Sequence, residues 1–247
     1  MMEPDAVAKQ SSRRHAVLIL GSTLVLVGGL AALGSSFLVW ETRMMSCNSA
    51  TPYNGGVLGA WIGIVGMTLA LQVVALQDHV SPGLAGSMVG WWLASVVLFV
   101  FLTQDGGTPA IGFYLVGFGV VAGLIGSTLL LIISHPQSAP VVTPWRQWLA
   151  VLALVVALGT PVATVILLKT LPSSSFQTYD WFILIGLLLF PIIAGGVALS
   201  GKTRSELAKP HQIMGGMAIT FALATLVDPI LLVFFALQHL FYCAQSF

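Results

Sequence analysis

The 247 residues include nine Lys plus Arg and eight Asp plus Glu; charged residues are 7% of the chain, apolar residues 57%, and mean hydropathy is +0.98. Soluble domains carry about 25% charged residues. A soluble enzyme, a coiled coil and a disordered chain are therefore disfavoured, and a net charge of +1 gives no footprint for nucleic acid.

A helical span needs about 20 apolar residues, because the hydrocarbon core is about 30 Å thick and a helix rises about 1.5 Å per residue. Seven stretches qualify: 16–40, 56–77, 84–103, 110–134, 147–169, 181–200 and 213–238. The expected fold is all-α and polytopic, with seven transmembrane helices. Residues 1–15 form a cytoplasmic segment, 16–238 the seven-helix domain and 239–247 an external tail. The first stretch follows Lys9, Arg13 and Arg14 like a signal peptide, but its apolar run continues to Trp40, longer than a usual signal core, and is read as a helix. Continuous apolar runs exclude a β-barrel, whose strands alternate.

Lysine and arginine set the orientation. With the N-terminus in the cytoplasm, the inner segments hold Lys9, Arg13, Arg14, Arg146, Lys202, Arg204 and Lys209, and the outer ones only Arg43 and Lys169. Seven spans then put the C-terminus outside. Tyr53, Trp61, Trp145, Trp148, Tyr179 and Trp181 fall near span ends and read as interfacial anchors, whereas Trp91 and Trp92 lie deeper and read as packing.

Helices in lipid approach closely through small residues. Gly59 and Gly63 in the second span, Gly119, Gly123 and Ser127 in the fourth, and Gly216 and Thr220 in the seventh have the i, i+4 spacing for this. Pro161, Pro191 and Pro229 sit inside spans five to seven, where each removes an amide donor. They read as fixed kinks, with a hinge at a transport site as the alternative.

Asp228 is the one ionisable side chain well inside a span. A carboxylate there costs several kcal/mol unless paired or protonated. It reads as an interhelical polar contact or a proton relay. His15, His79, His135 and His211 fall at cytoplasmic span ends and His239 near the outer end of the last. His79, His135 and His211 are weak candidates for a rim metal site; wet interfacial histidines are the expected reading, since no paired His or Cys spacing accompanies them. Cys47 and Cys243 both fall outside by this topology, so a disulfide between them is a candidate.

The stretch Leu226-Val227-Asp228-Pro229-Ile230-Leu231-Leu232-Val233-Phe234-Phe235 resembles the final helix of haem-copper oxidase subunit III. The entry of helix six by Asp180, Trp181 and Phe182, its late Gly195-Gly196, and the apolar run Val96 to Phe101 are similar to that family as well. The chain departs from it at Leu226, where the family has an aromatic residue, at Ser95, nearest the family's helix-three glutamate, and at Leu187, Leu188 and Leu189, in place of its histidines.

The resemblance implies a non-catalytic subunit without cofactors of its own. Such a subunit binds phospholipid, stabilises a larger respiratory or redox complex with haem-bearing partners, and assists its proton entry. The implied location is the inner (plasma) membrane or an equivalent energy-transducing membrane. The alternative is a small transporter or channel with its site near Asp228 and the kinked helices five to seven. The scarcity of polar residues within the spans disfavours a conduit for ions.

Overall fold

The computed structural model describes residues 4–44, 50–54, 56–76, 80–103, 108–134, 144–170, 178–199 and 209–245. Seven helices are described: α1 (Pro4–Ser35), α2 (Gly56–Leu76), α3 (Pro82–Thr103), α4 (Ile111–Ile133), α5 (Pro144–Thr170), α6 (Thr178–Leu199) and α7 (Lys209–Gln245). Five contain apolar stretches long enough to cross a membrane: Ser12–Ser35, Leu58–Leu76, Pro82–Val100, Ile111–Ile133 and Lys209–Val227. The protein is therefore membrane-embedded and helical. In α5 and α6 the described apolar stretches are shorter, Trp145–Thr160 and Leu189–Leu199.

Local chemistry explains the helix starts. Pro4, Pro82 and Pro144 open α1, α3 and α5, at the position where a missing amide costs nothing. Ser81 caps α3, its Oγ accepting the Leu84 amide at 3.2 Å.

The first span ends earlier than the sequence suggests. Helix α1 stops at Ser35, and Trp40 lies in a strand, not at a helix end. Ser36, Phe37 and Leu38 turn the chain through amide bonds to Leu33, Gly34 and Ser35 carbonyls. The Ser35 and Ser36 hydroxyls donate to Ala32 and Leu33 oxygens at 2.6 Å. Buried Trp40 donates its indole N–H to Ser35 O at 2.8 Å. The last carbonyls of α1 thus find donors without further helix.

The all-helical expectation also missed a small sheet. Strands β1 (Val39–Met44), β2 (Ala50–Asn54) and β3 (Thr108–Pro109) pair antiparallel in the order β2-β1-β3. Each outer strand carries a proline, Pro52 opposite Thr42 and Pro109 opposite Glu41. Proline has no amide to offer a further strand. The Ala110 amide donates to Trp40 O at 2.7 Å, joining β1 to the start of α4.

The chain divides into two compact units, Met1–Val80 with Ser95–His135 and Ser81–Ala94 with Pro136–Phe247. In the first, α1 is central. Neighbouring Gly28 and Gly29 point to different partners. A Cβ on Gly28 would sit 2.5 Å from Gly119 O, and one on Gly29 would sit 2.9 Å from Met67 N. Gly21 meets Gly126 as Gly28 meets Gly119, so α1 and α4 run antiparallel with a seven-residue glycine repeat on each. Gly63 meets Gly29 and Leu33, and Gly59 meets Ala32, Ser35 and Ser36, so α2 is antiparallel to α1 as well. Phe99 of α3 stacks on Phe113 of α4, ring centroids 4.4 Å apart.

In the second unit, α5, α6 and α7 pack on one another. The buried face of α5 is Ala150, Ala153, Ala157 and Thr160, at helical three-four spacing. Gly195 of α6 meets Gly215 and Ile219 of α7, and Gly215 meets Leu199, so these two helices are antiparallel. The first half of α3 packs on α7. Gly83 meets Gln212, Gly86 meets Ile213, and Gly90 meets Met217 and Thr220. Both numbers rise together, so α3 and α7 run parallel.

Helix α7 has 37 residues, about 55 Å at the helical rise, so it exceeds a bilayer core. Its backbone stays helical through Gln245, across most of the segment read as an external tail.

Candidate functional site

The α3–α7 seam holds polar contacts between helices. Glycines on both helices bring the backbones close enough for side chains to reach across. The Thr220 hydroxyl lies 2.8 Å from Ser87 O on α3 and 2.9 Å from Gly216 O on its own helix, and shares its one proton between them. The Ser87 hydroxyl donates to Gly216 O at 3.4 Å. Replacing Thr220 by valine keeps the shape and removes the donor. The expected loss is about 0.6–1.7 kcal/mol, the range for interhelical bonds in membranes, read as a lower midpoint in a denaturation titration of the purified protein in mild detergent.

Several other described hydroxyls bond back onto their own helices. Ser22 donates to Leu18 O at 2.8 Å, Ser127 to Leu124 O at 3.0 Å and Thr160 to Val156 O at 2.7 Å. A hydroxyl bonded back onto its own turn is not offered to a passing solute.

Two buried donors or acceptors stand apart. Trp92 is 0% exposed, and its indole N–H has no hydrogen-bond partner among the described residues. His211, in the first turn of α7, has a buried Nδ1 in the same condition. Trp91 is buried too, as depth in the span suggested.

The structure brings only some of the sequence candidates together. Gly59 and Gly63 face α1, Gly119 and Gly123 face Gly28, and Gly216 faces Gly83 and Ser87. Helices α5, α6 and α7 continue without interruption through Pro161, Pro191 and Pro229, and Pro191 is fully buried. Among the described residues no three His, Cys, Asp or Glu side chains converge. His79, His135 and Cys47 lie outside the described residues, as do the side chains of Asp228 and Cys243 on α7.

Sequence reasoning passed over Gly21, Gly28 and Gly126, because their repeat is seven and the spacing sought was four. It also passed over Ser87, whose position on α3 signals nothing until α7 is beside it.

No protein-family model, curated protein or solved structure matches this chain. The class rests on the helices themselves: a membrane-embedded protein with several apolar helices.

Proposed function

We propose that the chain is a non-catalytic, seven-span subunit that packs against other subunits of a larger membrane complex. Glycine usage carries this reading. Most described helix glycines meet a neighbouring helix of the same chain, with a built Cβ about 3 Å or less from its atoms, as at Gly21, Gly28, Gly63 and Gly195. Gly159, Gly186 and Gly196 have no described residue within 4 Å, and all three lie on α5 and α6. An interior helix glycine costs about 1 kcal/mol relative to alanine and gains it back where another helix approaches. Around Gly186 and Gly196 the same face of α6 exposes Leu189, Phe190, Ile193 and Val197. A helix of another chain suits that face. The similarity of the last helix to oxidase subunit III favours a redox complex in an energy-transducing membrane.

Helix directions support seven spans with termini on opposite faces. Parallel α3 and α7 enter the bilayer from the same side, so α3 to α6 together make an even number of crossings. With α3 and α4 crossing, α5 and α6 cross as a pair or not at all. The antiparallel contact of Gly195 and Leu199 with the apolar stretch of α7 favours crossing. Both cases favour an odd total. The self-satisfied hydroxyls favour a packing subunit over a conduit for polar solutes.

The test is isolation from native membranes in mild detergent. The chain is expected to migrate with partner subunits on a native gel. Gly196→Leu should release it while leaving its own helix content unchanged, because no described residue opposes the added side chain. A chain that migrates alone, or a Gly196→Leu variant that stays associated, would defeat the proposal.

A further inference from the structure

Helix α2 turns one polar side chain outward on an otherwise apolar face. Ile64, Thr68, Leu71, Gln72 and Ala75 recur at three-four spacing and are exposed, while Ile62, Ala70 and Val73 are buried. The Thr68 hydroxyl donates to Ile64 O on its own helix at 2.8 Å. The Gln72 carboxamide makes no such bond among the described residues. Gln72 also lies well inside the apolar layer. Gly63 meets Gly29 and Leu33 of antiparallel α1 and so stands level with about Ala31; Gln72, nine residues further along α2, stands level with about Ser22. The apolar run of α1 continues past that level to Ala16, about 9 Å away at the helical rise and longer than a glutamine side chain. A carboxamide at this depth has no water to bond, and hydrocarbon offers neither donor nor acceptor. Glutamines in membrane helices are satisfied by bonding across to another helix.

We propose that this face of α2 is where a second copy of the chain docks, the Gln72 carboxamides of the two copies bonding to each other across a two-fold axis. A carboxamide carries both an acceptor oxygen and donor N–H groups, so it is complementary to itself. Copies of one chain enter the membrane the same way, so the two-fold axis between them runs along the bilayer normal. Helix α2 then meets its counterpart in parallel. The two carboxamides fall at one depth, and each donates to the other. Thr68 and Ala75, one turn to either side, are small enough to let the helices approach there. The proposal goes beyond packing through α6 and does not depend on it, since α2 and α6 belong to different compact units.

The test uses the full chain with a fluorophore on a C-terminal tag, reconstituted in phosphatidylcholine vesicles over a range of protein-to-lipid ratios. Photobleaching steps count the copies in each particle. The wild-type protein should pass from monomer to dimer as the ratio rises. Gln72→Leu should move that midpoint about tenfold toward higher protein density, the loss of two hydrogen bonds between membrane helices. Leucine keeps the face apolar, so a dimer held by apolar contact alone would not respond. Gln72→Asn keeps the carboxamide and should stay closer to wild type than to Gln72→Leu. Gly196→Leu on α6 should dimerise as the wild type does, which separates this proposal from the one above. A wild-type chain that stays monomeric at every ratio would overturn the proposal, and so would an unchanged midpoint in Gln72→Leu or a Gln72→Asn variant as weak as Gln72→Leu. Loss of the dimer in Gly196→Leu would also overturn it, since the copies would then meet through α6.

Discussion

Gly28→Leu is expected to unfold the first unit. A Cβ at this position would sit 2.5 Å from Gly119 O and 2.8 Å from Gly123 N. Both obstacles are backbone of α4, which no rotamer change can move. Overpacking a well-filled interior costs about 1–3 kcal/mol even where side chains can adjust; here the cost should reach the top of that range or exceed it. The contact is reciprocal, since a Cβ on Gly119 would sit 2.6 Å from Gly28 O. Denaturation in mixed micelles should show a large fall in the midpoint, or no folded protein at all. Gly34→Ala on the same helix is the control. Its nearest neighbour is Leu115 Cδ2 at 3.8 Å, an ordinary contact, so it should be neutral or stabilising by up to about 1 kcal/mol. Equal effects at the two positions would show that α1 does not approach α4 through Gly28.

Gly216→Leu should act on different helices. A Cβ there meets the Gly83 carbonyl and lies 3.1 Å from Ser87 N. It would part α3 from α7 and break the Thr220 and Ser87 bonds, adding about 1 kcal/mol of lost hydrogen bonding to the steric cost. Amide exchange separates this outcome from the first. Protection should fall in 82–94 and 209–227 and hold in the glycine-lined parts of α1 and α4. Gly28→Leu should give the reverse pattern. Uniform loss of protection in both variants would contradict the division into two units.

How much of this was readable from the residues depends on what each element faces. The helices were visible because lipid selects long apolar runs. The end of α1 was not: Phe37, Leu38, Val39 and Trp40 continue the apolar run, and hydropathy cannot tell a strand that buries Trp40 from one more turn of helix. Gly59 and Gly63 carried the familiar four-residue spacing, whereas Gly21 and Gly28 did not. The partner of each helix was hidden for a physical reason. In a soluble protein the outward face is polar, but on α4 outward Ile111, Phe118, Val121 and Ile125 are as apolar as inward Val116 and Val120. Periodicity then cannot say which side meets protein. The functional residues were harder still. Ser87 and Thr220 gain meaning only from the parallel course of α3 and α7, 129 or more residues apart in sequence.

The odd number of crossings is the claim on which orientation, packing and function all depend, and the sidedness of the two termini tests it most directly. A short tag at each end of the full chain, probed with a membrane-impermeant reagent before and after the membrane is opened, reports the side of each. The N-terminal tag should react only after opening and the C-terminal tag before it. Both tags reacting from the same side would contradict the parallel entry of α3 and α7, and with it the proposed architecture.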